Sequence, residues 1–310
     1  MANHGPLSPR QTPIPPYPRR VGELPVQHHW RSVKDHSRSF WDFTYVYPVI
    51  SRRSRGLSIG INLNPDKVCN FDCVYCEVDR TTPPKSRVLD LAKVRSELAE
   101  MIRLAQSGKL GEDPKFAEAA PLTRLVRDIA FSGDGEPTMV PNFDECVQIA
   151  VDAKSAFGLH ETKIVLITDA AGLDKESVRR GLALMDAHQG EVWGKLDAGT
   201  EAYFKLVNRS SVRFDRILAN LESTAKARPI VIQTLLLRIH GAPMPPEELE
   251  AYCGRLRAIV EAGGRIAEVH AYTIARPTPE PWATKLTADA LESMAGTIRE
   301  RTGLRVATFA

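Results

Sequence analysis

Cysteine is scarce in this chain, and long apolar runs are missing from it. The 310 residues include five cysteines, and no apolar run approaches the roughly 18 residues of a membrane span. The N-terminus lacks the apolar region of a secretory signal. Three cysteines lie close together at 69, 73 and 76, and an odd cluster of this kind is not a disulfide framework. These features predict a cytoplasmic protein in a reducing compartment, without a membrane partner.

Charge is distributed unevenly along the chain. The net charge is +3, with +6 over residues 1–58 and −3 over the remainder. A basic leading arm of this kind either contacts nucleic acid or is a solvated tail. The remainder is not basic, which argues against a large polyanionic substrate.

The first 50 residues differ in composition from the rest. Seven prolines within residues 1–25 predict extended backbone, since proline fixes φ and removes a backbone donor. Residues 26–50 are rich in aromatic side chains, which predicts a flap over one end of the core domain or, alternatively, a substrate-stacking surface. We therefore expect an N-terminal arm and flap over residues 1–50 and one core domain over residues 51–310.

From Ser58 onward, apolar runs of strand length alternate with amphipathic stretches of helical period. Strands are predicted at Ser58–Leu63, Leu125–Phe131, Lys163–Thr168, Glu191–Asp197, Pro229–Leu237 and Glu268–Ile274, with a last short one at Leu304–Phe309. Helices are predicted near residues 89–107, 142–155, 175–188, 214–224, 246–262 and 288–301. Six such units predict an α/β fold in which a parallel sheet curls into a partial (β/α)6 TIM-like barrel.

The three clustered cysteines are candidate metal ligands. Cys69, Cys73 and Cys76 have the spacing C-x3-C-x2-C directly after the first predicted strand. Thiolates are soft ligands that suit iron–sulfur clusters or zinc. A closed zinc site takes four ligands, whereas a four-iron cluster held by three cysteines keeps one iron open for another ligand.

Ligands of parallel α/β folds bind beyond the carboxyl ends of the strands, so polar residues at those ends are site candidates. The second predicted strand ends in a glycine-rich turn that lets a ligand approach the backbone, and the later strands end in polar side chains that point either to a site or to structural ion pairs. The cofactor-binding candidates are Tyr75, Ser132, Gly133, Asp134, Gly135, Glu136, Thr168, Asp169, Lys195 and Gln233. The candidates for the substrate step are Lys195, Asp197, His270, Tyr272 and Arg276, with Arg276 suited to a carboxylate or phosphate.

Taken together, these motifs resemble a known family. The cysteine spacing with Tyr75 before the last cysteine is similar to the signature of the radical S-adenosylmethionine superfamily, and S-G-D-G-E-P-T resembles its glycine-rich motif. K-L-D-A-G, I-Q-T-L and Y-T-I-A-R-P further resemble the iron–sulfur oxidoreductase branch related to tRNA wyosine-base (4-demethylwyosine) synthases. The resemblance runs from about Ser51 to Leu291.

The resemblance implies cofactors and a chemistry. It implies a 4Fe-4S cluster on Cys69, Cys73 and Cys76, whose electron cleaves S-adenosylmethionine to a 5′-deoxyadenosyl radical that abstracts hydrogen from substrate. It also implies contact between Glu136 and the methionine amino group, a flavodoxin- or ferredoxin-type electron donor, and a monomeric enzyme. The substrate is left open between a tRNA base, a peptide and a small molecule. A non-enzymatic zinc-binding protein that contacts nucleic acid is the alternative from another class.

One departure bears on that choice. Wyosine-forming enzymes of this kind carry a second cluster on cysteines upstream of the radical motif, and no cysteine precedes Cys69 here. The sequence therefore predicts a single cluster.

Overall fold

A computed structural model describes Ser32, Arg38 and residues 40–84, 86–276 and 278–310. The predicted extended segment over residues 1–25, and most of the predicted aromatic flap, lie outside these residues. Among the described residues, no helix combines the length and the apolar composition that a bilayer span requires.

An eight-stranded sheet forms the centre of the fold. Its strands are joined in the order β1-β2-β3-β4-β5-β6-β8-β10, and β1 is antiparallel to β2 while every other pair is parallel. A separate antiparallel pair consists of β7 and β9. The strand bounds are β1 Val46–Ser51, β2 Gly56–Ile61, β3 Val126–Phe131, β4 Lys163–Thr168, β5 Gly190–Lys195, β6 Ile230–Leu235, β7 Leu237–Ile239, β8 Ile266–Tyr272, β9 Ala283–Lys285 and β10 Val306–Phe309.

Helices follow most of the parallel strands. Their bounds are α1 Leu91–Ser107, α2 Phe143–Ala156, α3 Glu176–Ala187, α4 Glu201–Asn208, α5 Phe214–Ala227, α6 Pro246–Glu261 and α7 Ala288–Thr302, with short 3-10 turns at Lys109–Glu112, Ala117–Arg124 and Pro137–Met139. The fold class predicted from the sequence, a partial barrel of six β/α units, is confirmed as β2 to β6 and β8.

The alternation of side chains along each strand separates two cores. Ile129 and Phe131 of β3 belong to the large apolar core that the helices share, whereas Ala130 between them packs with Val165, Trp193 and Val231 from neighbouring strands. The second cluster is the inner, concave face of the curled sheet. Because both faces are covered, the strands read as continuous apolar runs rather than as alternating ones.

Strands β1, β7 and β9 and helix α4 were not predicted from the sequence. Strand β1 contains Pro48, and a proline argues against a strand unless the strand is at an edge, where β1 lies. It crosses the boundary predicted between residues 50 and 51, so the barrel begins earlier in the chain than expected. Helix α4 has eight residues, which is too short for its apolar period to be distinctive.

The segment before β1 is held to the barrel by a buried carboxylate. Glu97 of α1 accepts hydrogen bonds from the backbone N–H groups of Thr44 (2.8 Å), Tyr45 (2.8 Å) and Val46 (3.0 Å). A buried carboxylate that satisfies three backbone donors fixes where the chain enters the sheet. Phe40 and Tyr45 of this segment pack into the main apolar core.

Candidate functional site

The inner face of the barrel lines a cavity of about 380 Å³, whose lining includes the residues at the carboxyl ends of β3 to β6 and β8. Its lining includes Cys69, Cys73 and Cys76, all ten predicted cofactor-binding residues, and three of the predicted substrate-step residues, Lys195, Tyr272 and Arg276. Tertiary structure thus brings together side chains that lie some 200 positions apart in sequence. Asp197 and His270 are not part of the lining.

The cysteine loop is attached to the end of α4. The backbone N–H groups of Asp72 and Val74 donate to the carbonyls of Asn208 (3.0 Å) and Val207 (2.9 Å). The Phe71 ring meets Phe204 of the same helix edge-on, with 5.3 Å between centroids. The last carbonyls of a helix have no acceptor role within the helix, so here the carbonyls at the end of α4 accept from the cysteine loop. These hydrogen bonds fix a loop that has no regular secondary structure.

Each of the three thiols faces an N–H donor. The Phe71 N–H lies 3.4 Å from Cys69 Sγ, the Asn208 side-chain amide lies 3.4 Å from Cys73 Sγ, and an Arg80 guanidinium nitrogen lies 3.9 Å from Cys76 Sγ. N–H groups aimed at sulfur stabilise thiolate and tune an iron–sulfur cluster.

Burial keeps two of these thiols protonated when no metal is bound. It raises the pKa of Cys69 to about 12, with the Asp169 carboxylate as the second cause, and raises the pKa of Cys73 to about 11. A bound cation must displace these protons, so binding would release protons to solvent.

The glycine-rich turn after β3 packs directly on the cysteine loop. The backbone N–H of Glu136 donates to the carbonyl of Val68 (3.1 Å), and a Cβ on Gly135 would lie 2.0 Å from that same oxygen. On the other side of the turn, Asp134 accepts from Asn62 (2.7 Å) and pairs with Arg38 (3.1 Å). Glycine is required at 135 because the two backbones approach so closely.

Glu136 is buried and engaged mainly by its own neighbours. Its Oε1 accepts from the Thr138 N–H (3.0 Å), the Thr138 hydroxyl (2.6 Å) and the Thr168 hydroxyl (2.6 Å), and its Oε2 accepts from the Asp169 N–H (2.7 Å). Oε2 thus accepts from one backbone N–H, against three donors at Oε1, and the Asp169 side chain is also hydrogen-bonded to Glu136. The pKa of the adjacent Asp169 is raised well above its usual range by burial and by the Glu136 charge.

Lys195 and Asp197 form an ion pair within a larger buried network. Their charged atoms are 3.7 Å apart, and Lys195 Nζ also donates to the hydroxyls of Tyr75 (2.8 Å) and Tyr272 (3.3 Å). Asp197 accepts from Asn208 (2.8 Å), from the Leu235 N–H (2.8 Å) and from the Tyr75 hydroxyl. Asp197 therefore braces the wall of the cavity, which is the structural alternative left open by the sequence.

The remaining predicted residues have different environments. His270 packs edge-on against Trp193 (5.1 Å) and Phe309 (5.3 Å), and its Nε2 pairs with Glu268 (3.1 Å). Burial lowers its pKa, so it is neutral at pH 7. Arg276 forms an ion pair with Glu77 of the cysteine loop. A carboxylate of the chain is thus its partner in this structure, and its expected role toward a substrate carboxylate or phosphate stays a prediction.

The cavity and network residues that sequence reasoning missed include Arg38, Arg53, Asn62, Arg80 and Asn208. Arg38, Arg53, Arg80 and Asn208 belong to no motif, whereas Asn62 lies in the stretch G-I-N-L, residues 60–63, that precedes the cysteine loop. Asn62 alone had a signal, since it directly follows β2 at the edge where ligands bind.

No family model matches the sequence. Among curated proteins, GTPase Obg of Brachyspira hyodysenteriae is 26% identical over 176 residues, which are 56% of this chain and 22% of that protein. UPF0026 protein MJ1312 of Methanocaldococcus jannaschii is 29% identical over 179 residues, 56% of this chain and 47% of that protein. The chain thus spans less than half the length of these relatives.

Solved structures show the fold more clearly. A radical SAM methyltransferase from Sphaerobacter thermophilus is similar with a TM-score of 0.58 at 14% identity, covering 85% of this chain and 68% of that one. Streptococcus suis SuiB bound to S-adenosylmethionine gives 0.54 at 14% identity, covering 81% and 50%. The chain therefore has the fold of radical SAM enzymes. Archaeal TYW1 gives only 0.48 at 16% identity, covering 80% and 73%, so the wyosine branch stays a prediction.

Proposed function

We propose that this chain is a radical SAM enzyme that acts on a small-molecule substrate. The observation that carries the proposal is that the C-x3-C-x2-C loop and the glycine-rich turn, in a fold of this class, line one cavity and touch each other through Glu136 N–H and Val68 O. When bound, a 4Fe-4S cluster would supply the electron that cleaves S-adenosylmethionine to a 5′-deoxyadenosyl radical able to abstract hydrogen from substrate.

The donor set of the loop fits such a cluster. Cys69, Cys73 and Cys76 would hold it, each with an N–H group directed at its sulfur. Phe71 and Val74 are almost fully buried and would shield it from water.

The turn after β3 and the ends of β4 to β6 would bind S-adenosylmethionine. The carboxylate of Glu136 suits its ammonium group, and Ser132, Gly133, Asp134 and Gly135 line the same cavity. Thr168, Asp169, Tyr75, Lys195 and Gln233 line the same space. Tyr75, Thr168 and Asp169 would orient the cofactor and exclude water, while Lys195 and Gln233 also face the space left for substrate. The cofactor itself carries the difficult chemistry.

The size of the cavity favours a small substrate. Its volume of about 380 Å³ lies near the lower end of the roughly 300–1,000 Å³ that small-molecule sites span. Since S-adenosylmethionine must share it, a metabolite fits better than a peptide or a tRNA base. A flavodoxin or ferredoxin would supply the electron, in keeping with a cytoplasmic, monomeric enzyme.

The test is anaerobic reconstitution with iron and sulfide, followed by reduction and assay of 5′-deoxyadenosine with S-adenosylmethionine present. We expect about four irons per chain, deoxyadenosine formation, and loss of both in Cys76→Ala. Cys253→Ala is the matched control, because Cys253 is buried in α6 outside the loop, and it should keep both. A protein that holds zinc and forms no deoxyadenosine would instead support the non-enzymatic alternative.

A further inference from the structure

Arg53 is a charged residue of the cavity to which no motif assigns a role. It lies in the turn between β1 and β2, and its side chain reaches the wall formed by β5, β8 and β10. Its guanidinium carbon is 4.7 Å from the ring centroid of Tyr272, 5.6 Å from that of Phe309 and 5.7 Å from that of Trp193. Three aromatic rings therefore hold this cation at the inner face of the barrel.

No ion pair joins Arg53 to a carboxylate among the described residues, and its cation–π contacts there are to three rings. Other arginines of the cavity differ in this respect, since Arg38 pairs with Asp134 and Arg276 pairs with Glu77. A half-buried guanidinium without an anionic partner is costly, which is reflected in a pKa that burial lowers. Rings that contact its faces leave the N–H groups at its edge available for an oxyanion.

Gln233 supplies a second donor without a partner in the same cavity. Its side chain is 2% exposed, and its Nε2 has no hydrogen-bond acceptor. In the sheet it is aligned with Lys195 on one side and with His270 on the other, so it stands on the wall that carries Trp193 and Tyr272. Buried amide nitrogens are nearly always satisfied, so an acceptor is missing here.

We infer that Arg53, Gln233 and Lys195 form a subsite for the oxyanion group, carboxylate or phosphate, of a small substrate. A single oxyanion would accept hydrogen bonds from the guanidinium N–H groups of Arg53 and from the side-chain amide of Gln233, and it would lie beside the Lys195 ammonium. The inference deepens the proposed function, on which the identification of the anion as substrate rests. It assigns to Arg53 the role that the sequence suggested for Arg276.

Titration calorimetry with succinate and with inorganic phosphate tests the subsite without radical chemistry. The reconstituted full-length protein is saturated with S-adenosylmethionine and left unreduced, so that no turnover occurs. We expect saturable binding of at least one probe, and the probe that binds more tightly identifies the group as carboxylate or phosphate. Arg53→Gln should weaken that binding about tenfold or more, as expected for loss of charged hydrogen bonds.

Two further variants keep the test decisive if Arg53→Gln folds poorly. Gln233→Glu keeps the size of the side chain, places a carboxylate beside Arg53, and should abolish binding. Arg103→Gln is the matched control, because Arg103 also lies over an aromatic ring, 5.5 Å from Phe157, but outside the cavity. It should bind both probes as the unmodified protein does.

Absence of saturable binding by both probes, or unchanged affinity in Arg53→Gln and Gln233→Glu, would overturn the subsite. Failure of the proposed function looks different. In that case no deoxyadenosine forms, yet the same titration on the purified chain still shows binding that depends on Arg53.

Discussion

Lys195 and Asp197 show that the partners of a side chain, rather than its type, decide its role in this barrel. Asp197 is closed off by hydrogen bonds from Asn208, Leu235 and Tyr75, whereas Lys195 keeps one side toward the cavity. The same contrast distinguishes Arg276, which forms an ion pair with Glu77, from Arg53, which has no carboxylate partner among the described residues. Asn208 shows the converse. It belongs to no recognisable motif, yet its side-chain amide contacts both Cys73 and Asp197.

Asp128 gives a prediction that depends on pH. Its carboxyl group is buried at the start of the cavity, accepts from Ser58, and lies near the Lys163–Glu191 pair. Burial raises its pKa despite the nearby serine hydroxyls. The folded state then binds a proton more tightly than the unfolded state, so this group lowers stability as pH rises from the unfolded pKa through the folded one.

We therefore expect Asp128→Asn to melt at a higher temperature than the unmodified protein at pH 7, with the difference closing as pH falls toward 4. Melting curves between pH 4.5 and 8 measure this. Asp152→Asn is a control of opposite sign, because hydrogen bonds from Arg95 and Gln148 lower the pKa of exposed Asp152. A difference in melting temperature between Asp128→Asn and the unmodified protein that widens at low pH would contradict the raised pKa of Asp128.

Among the elements, the contact between the turn after β3 and the cysteine loop matters most for the site. Gly135 and Glu136 lie against Val68, one residue before Cys69, so the position of the loop depends on an element about 65 residues away in sequence. Helix α4 holds the loop from the other side through Asn208 and Val207. The loop itself has no regular structure, and these two neighbours define its path.

Gly135→Ala tests that dependence. A Cβ 2.0 Å from Val68 O forces the backbones apart, so we expect the loop to shift and iron bound after reconstitution to fall severalfold, while far-UV circular dichroism remains native. Iron and sulfide analysis measures the effect. Gly254→Ala is the control, because its Cβ would meet only Arg257 at 3.8 Å within α6, and it should be neutral or stabilising by about 0.5–1 kcal/mol. Equal iron content in both variants would contradict this account.

For the molecule as a whole, the open seam of the partial barrel is the distinctive feature. Strands β1 and β10 are the two edges of the sheet, and Arg52 connects them by donating to the carbonyl of Ala310 (2.8 Å). Arg53, from the same turn, lies over Phe309 of β10. The Arg53 side of the proposed anion subsite therefore lies at the seam, where the two ends of the sheet approach each other, whereas Lys195 and Gln233 lie on the central strands β5 and β6.

Hydrogen exchange should reflect this architecture. Strands β4, β5 and β6 are paired on both sides, whereas β1 and β10 each have one neighbour in the sheet. Local opening is easiest where few contacts must break, so we expect amides of β10 to exchange faster than those of β5. An oxyanion bound at Arg53 should slow exchange in the β1–β2 turn and β10 but not in α2. Mass spectrometry of peptic fragments measures both, and uniform protection across the sheet would contradict the prediction.

The sequence alone determined the class of fold and most of the cofactor-binding region, because both rest on local information. Apolar runs of strand length, helical periods between them, and the spacing of Cys69, Cys73 and Cys76 can be read without knowing which strands are neighbours. The sheet order confirmed the predicted units, and the predicted cofactor-binding residues do line one cavity.

Only the tertiary structure decided which polar residues are free to bind a ligand. Arg276 is neutralised by Glu77, about 200 residues earlier, and Arg53 meets rings from three later strands. Pairing of charges and completion of hydrogen bonds are relations through space, and strand composition does not encode them. For that reason the sequence suggested the arginine that is already paired, and the fold revealed the one that is not.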